Sequence, residues 1–161
     1  MSRESVRWGK AVVAGLVATG VGFTIGFFLY GAMNGVYAKF GELPYAKPIR
    51  SVPAYLAQMF VGSAILNVLF AGIYGLIQEG LPGKRRWRKG LAFGAILLAT
   101  NMLPIAFNTW MQIAQPPTLI LVEAVNRTIG LLVQGVAIAL VYGPPLSVHR
   151  SRENRPHPAH P

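Results

Sequence analysis

The chain has 161 residues, 53% hydrophobic and only 12% charged, with a formal net charge of +10. That length fits one domain, and a soluble domain carries about twice the charge, so the composition points to lipid. There is no Asp and no Cys, and the histidines are His149, His157 and His160, which excludes disulfides, thiolate metal sites, Cys nucleophiles and intramembrane His chemistry; no cofactor or metal is expected.

The basic charge does not read as nucleic-acid binding. It sits at the ends of apolar runs, as in a protein whose partner is the lipid bilayer. After a lead with Arg3, Arg7, Trp8 and Lys10, no charged residue occurs from Ala11 to Tyr37. A spanning helix needs about 20 apolar residues, and a signal-peptide core has only about 7–15, so the first span is placed at 11–37. Ala14, Ala18, Gly22 and Gly26 recur every fourth residue. Such a ridge of small residues lets a neighbouring helix approach, and packing within one chain is preferred to a dimer seam. Phe27, Phe28, Tyr30, Tyr37 and Phe40 form an aromatic belt at the far end.

Lys39 to Pro53 is expected to be a loop, because Gly41, Pro44, Pro48 and Pro53 cannot sustain a helix. The second span is placed at 54–78, with Ser63, Asn67, Ala71, Tyr74 and Gln78 on one helical face. Glu79 to Lys89 is a compact basic turn. The third span is placed at 90–113, with Gly90, Gly94, Asn101, Asn108 and Gln112 expected along one face. Pro104 removes the bond to Thr100 and should kink it there. A Pro116-Pro117 reversal leads into the fourth span, 117–142, whose polar or small face is Glu123, Asn126, Arg127, Gly130, Gln134 and Ala137. Gly143-Pro144-Pro145 ends it. Residues 144–161 read as a disordered, basic cytoplasmic tail.

With the N-terminus inside, eleven Lys and Arg lie on the cytoplasmic side, against Lys39, Lys47 and Arg50 outside. The positive-inside rule then predicts both termini in the cytoplasm. A weak repeat accompanies this topology. Trp8-Gly-Lys10 leads to Gly15 in the first span, as Trp87-Arg-Lys89 leads to Gly94 in the third. Tyr74-Gly75 and Tyr142-Gly143 mark the second and fourth. The expected fold is an all-α integral membrane four-helix bundle over residues 1–143, built from two parallel-oriented helical hairpins.

At about 1.5 Å per residue, Asn67, Asn101 and Arg127 lie near their helix midpoints, and Glu123 and Asn108 one to two turns farther out. Turned inward together, they and Asn126 would make a mid-membrane polar cluster. It is either a lock that fixes packing or a ligand, ion or proton path, since charges at such depth are functional hypotheses by default. Three motif matches carry nothing. Gly20, Gly22 and Gly26 have the wrong spacing for a dinucleotide loop and follow no strand. Asn126-Arg127-Thr128 is a glycosylation acceptor inside a span, and His157 with His160 offers too few metal ligands. An enzyme is not expected, because the spans hold one carboxylate and no second acid–base group.

The small-residue stretch 14–19, the Leu81-Pro82-Gly83-Lys84 turn leading into Lys89-Gly90-Leu91-Ala92-Phe93-Gly94, and the terminal Tyr142-Gly143 resemble small four-span bacterial inner-membrane proteins of uncharacterised function. That resemblance covers most of residues 8–143 and implies a fold and a bacterial inner membrane, but no activity. The chain is also similar in size to small multidrug exporters. Their essential Glu lies in the first span, which is uncharged here. The expected role is a non-enzymatic accessory or structural component of a membrane complex, with a homodimer or a larger assembly as partner. The alternative is a small transporter or channel through the polar cluster. The two differ in whether a water-accessible cavity reaches Arg127 from one side.

Overall fold

The structure is a computed structural model that describes residues 6–41, 51–112 and 116–143. The tail expected from 144 onward, and Lys47 and Arg50 of the first loop, lie outside the described residues. Four helices are long and apolar enough to cross a membrane, and no strand occurs among the described residues. The chain is a multi-pass membrane protein with an all-α, four-helix bundle.

Span 1 is α1 (Trp8–Ala32), followed by the short α2 (Asn34–Gly41). Span 2 is α3 (Val52–Ile77). Span 3 is composite: α4 (Arg86–Leu97), a π-helical turn (Leu98–Met102) and α5 (Leu103–Gln112). Span 4 is α6 (Pro117–Tyr142).

Local chemistry sets these limits. Ser51 caps α3 by accepting the Ala54 N–H, and Pro53 and Pro117 occupy opening positions where an absent N–H costs nothing. Gly143 ends α6 at φ 78, a conformation that favours glycine. Within the spans, the hydroxyls of Thr19, Thr24, Thr100 and Thr128 each donate to the carbonyl four residues back. A polar side chain thereby satisfies itself without leaving its helix.

The structure corrects three boundaries. Span 1 does not run on to 37: it breaks at Met33, just before Asn34 and Gly35, both weak helix formers. Helix then resumes through Lys39 to Gly41, where the sequence suggests a loop. Span 3 starts at Arg86 rather than Gly90, so three cations lie within its first turn.

The spans pack in the order α3, α1, α6, α4. Glycines set the two tightest crossings. A Cβ on Gly15 of α1 would lie 2.6 Å from the Val68 Cα of α3. One on Gly94 of α4 would lie 2.8 Å from the Leu131 carbonyl of α6, and one on Gly135 would lie 2.5 Å from the Gly90 carbonyl. Gly15 and Gly94 are equivalent positions of the repeat, so the two hairpins cross at matching glycines.

Their ends match as well. Lys89, opening span 3, donates through Nζ to the Gln78 carbonyl at the end of span 2. Arg7, opening span 1, donates to the Tyr142 carbonyl at the end of span 4. Each cation meets the negative end of a helix. Tyr74 and Tyr142, the repeated tyrosines, meet edge to face at 5.8 Å, and Tyr74 meets Phe93 of span 3 at 5.3 Å. This aromatic group joins spans 2, 3 and 4 at the basic end.

The buried core is concentrated in that half of the bundle. Ala11, Ala14, Ala18, Ala71, Tyr74, Phe93, Ile138 and Tyr142 are all closed from solvent. The opposite half diverges. Residues 51–62 of span 2 are exposed at every position, apart from one edge contact between Phe60 and Phe23. Tyr74 and Phe93 are the ring contact between spans 2 and 3 among the described residues, and it lies at the basic end.

Candidate functional site in the open half

The polar residues named from sequence sit in four settings. Asn67 is 3% exposed between spans 1 and 2 and donates to the Thr19 hydroxyl at 3.1 Å; its Oδ1 is buried without a hydrogen-bond partner. Asn126 donates to the Tyr37 hydroxyl of α2 at 3.1 Å. Asn101 and Asn108 are exposed on span 3, with no hydrogen-bond partner among the described residues. Glu123 and Arg127 pair with each other, Nε to Oε2, at 3.3 Å. The cluster expected from Asn67, Asn101 and Arg127 is therefore not assembled, and no asparagine accepts from Arg127 among the described residues.

The cause on span 3 is the π turn. A continuous α-helix would put Gly90, Gly94, Asn101 and Asn108 on one face. The π turn at 98–102 bonds the Leu103 N–H to the Leu98 carbonyl, five residues back. The extra residue rotates everything after it by about one residue's angle. Gly90 and Gly94 still face span 4, but the residues that continue their face are Met102, Ile105, Ala106 and Thr109. Pro104 foretells a break near Thr100, where its missing N–H and its ring disturb the ladder; the form of the break is the insertion.

On span 4, Glu123 and Arg127 belong to the stripe that runs on, at three- and four-residue steps, through Gly130, Gln134, Ile138 and Tyr142. Ile138 and Tyr142 are fully buried at the basic end. Glu123 and Arg127 continue that stripe into the open half, where their side chains are 43% and 53% exposed. They line a cavity of about 260 Å³ between α5 and α6, walled by Met102, Ile105, Leu119 and Ile120, with Thr109 as a further polar group.

Depth follows from helical rise. Arg127 lies roughly 4 Å from the midpoint of α6 and Glu123 roughly 10 Å, on the side away from the basic end. Both fall within a hydrocarbon half-thickness of about 15 Å. At the other end the rings of Tyr74, Phe93 and Tyr142 pack together, with the Tyr142 hydroxyl against Gly75.

The small-residue ridge divides between the two halves. Ala14 and Ala18 are buried, Gly22 lies against the Gln134 amide of span 4, and Gly26 has nothing within 4 Å of a would-be Cβ. Gly15, one residue off the ridge, makes the closest approach to span 2. An unbroken helical reading puts Ile105 on the face of Gly94, but Met102 and Thr109, also of the cavity wall, emerge only once the π insertion is counted.

Among the described residues no three His, Cys, Asp or Glu side chains gather as a metal site. Compared with known protein families, curated proteins and solved structures, the chain matches none.

Proposed function

We propose that this is a small, non-enzymatic carrier or channel of a bacterial cytoplasmic membrane, which admits a polar solute to Glu123 and Arg127 from the side opposite its basic end. The observation that supports this reading is the cavity of the open half, which Glu123 and Arg127 line, with the aromatic group packed at the basic end. A structural lock calls for a dry, fully bonded pair. This pair is half-exposed and held by one contact. Arg7, Lys10 and the run from Lys84 to Lys89 lie at the closed end, so the positive-inside rule assigns that end to the cytoplasm and the cavity to the outside.

The second reading is an accessory or structural component of a membrane complex. It is favoured by the diverged halves of spans 2 and 3, which a partner helix could cover. Single cysteines in this Cys-free chain separate the two readings. In intact cells, a charged, impermeant thiol reagent should modify Thr109→Cys and spare Ala139→Cys. Protection of Thr109→Cys in the membrane, with reaction in detergent, would instead mean that a partner fills the chamber. The same reagent should label Ser51→Cys and not Ser151→Cys; the reverse pattern overturns the orientation.

A further inference from the structure

The chemistry of the chamber narrows the solute, and the inference rests on the carrier reading above. Span 4 descends from the open end to the basic end, so Glu123 stands nearer the entrance and Arg127 about 6 Å deeper along the axis. Their mutual contact, Nε to Oε2 at 3.3 Å, is longer than the usual 2.7–2.9 Å or so of a charge-assisted bond. It uses one nitrogen of the guanidinium and one oxygen of the carboxylate. Nη1, Nη2 and Oε1 have no hydrogen-bond partner among the described residues.

The site thus offers an anion and a cation at different depths, with zero net charge between them. A lone anion or cation entering would leave a net charge inside a wall of Met102, Ile105, Leu119 and Ile120, where an uncompensated charge is costly. A ligand that carries both signs adds none.

We propose that the chamber binds a small zwitterion, its anionic group on Arg127, its ammonium group on Glu123 and its apolar body against the span 3 wall. Two sources share this chemistry: a free solute of the amino-acid type and a zwitterionic lipid headgroup such as phosphatidylethanolamine.

The test uses the full chain in phosphatidylglycerol nanodiscs and three probes of matched shape: L-leucine, 4-methylpentanoate, which lacks the ammonium, and 3-methylbutylamine, which lacks the carboxylate. Calorimetry should show leucine binding about tenfold or more tighter than either analogue, since each loses a charge-assisted contact. Glu123→Gln should reduce leucine to the level of 4-methylpentanoate, and Arg127→Gln to the level of 3-methylbutylamine. A merely structural role for the pair would weaken all three probes together and overturn the proposal. A lipid headgroup would show as phosphatidylethanolamine retained in native mass spectra by the parent chain and lost from both variants. The proposal also fails if a single-charge analogue binds as tightly as leucine, or if neither leucine nor phosphatidylethanolamine binds. In either case, reaction of Thr109→Cys from outside leaves the carrier reading standing, whereas a protected Thr109→Cys removes both.

Discussion

The two halves of this bundle are made of equally apolar helices and are packed in opposite ways. At the basic end, glycines bring α1 against α3 and α4 against α6, two cations cap two helix ends, and three aromatic rings meet near the axis. Toward the other end of span 4, the same stripe that buries Ile138 and Tyr142 carries a half-exposed ion pair. Apolarity alone does not pack helices in lipid, because the tails are as apolar as the side chains. Packing follows small residues and interlocking shapes, and those are concentrated in one half.

The repeat makes the contrast sharper. At the basic end the hairpins correspond: Gly15 with Gly94, Tyr74 with Tyr142, Lys89 on Gln78 with Arg7 on Tyr142. Beyond it the correspondence stops. α1 and its continuation α2 stay in contact with α6 as far as Tyr37 and Asn126, whereas their counterparts, spans 3 and 2, meet through rings at Phe93 and Tyr74 alone among the described residues. The π turn and Pro104 lie in span 3 with no equivalent in span 1, and they coincide with the change.

The largest effect should come from filling the tight crossing. Gly135→Leu places a side chain where even a Cβ meets the Gly90 carbonyl at 2.5 Å, and overpacking of this kind costs about 3 kcal/mol. Gly26→Leu meets nothing within 4 Å and should change stability by only about 0.5 kcal/mol. Thermal unfolding in one detergent compares them, and equal losses would contradict the division into halves.

A smaller effect should follow from Tyr142→Phe. It keeps the ring and removes the hydroxyl that accepts the Arg7 N–H at 3.2 Å, a bond worth about 1 kcal/mol. The change reads out as a modest drop in melting temperature with the aromatic contact retained. No drop would mean that the ring alone closes that end.

The smallest losses should be at the ion pair. Were it sealed in the bundle, breaking it would cost about 3–5 kcal/mol. Half-exposed as it is, and open to water on the carrier reading, it should cost no more than about 1 kcal/mol. Arg127→Leu should exceed Glu123→Gln, because Gln still accepts from the guanidinium while Leu leaves a carboxylate alone. Combining the two should recover part of the loss. Size-exclusion profiles in detergent measure this, and a collapse of folded yield in either single variant would restore the lock.

Much of the frame is legible in the sequence. Runs of more than 20 apolar residues bounded by charges and prolines mark four spans, and Pro117 and Gly143 give the limits of the fourth to the residue. The repeated Trp, Gly and Tyr positions identify two hairpins. The interior is harder to read. A period of 3.6 assumed through Pro104 puts Asn101 and Asn108 on the face of Gly94 and hides Thr109, because one inserted residue leaves no compositional trace. The ridge at Ala14, Ala18, Gly22 and Gly26 suggests even contact along span 1, whereas Gly15 holds the crossing and Gly26 is open. Nor does an apolar stretch such as 54–62 tell lipid from protein as its neighbour, so the divergence of span 2 is visible only in three dimensions.

That divergence is the basis of the division into a packed and an open half, and interspan distances test it most directly. Spin-label pairs at Gln58 and Asn108, across the open half of spans 2 and 3, and at Leu76 and Leu91, across the basic half, can be measured by pulsed electron resonance in lipid nanodiscs. The open half should give the longer mean distance and the broader distribution. Equal distances at the two levels would mean that spans 2 and 3 run side by side, and would contradict the division into a packed and an open half.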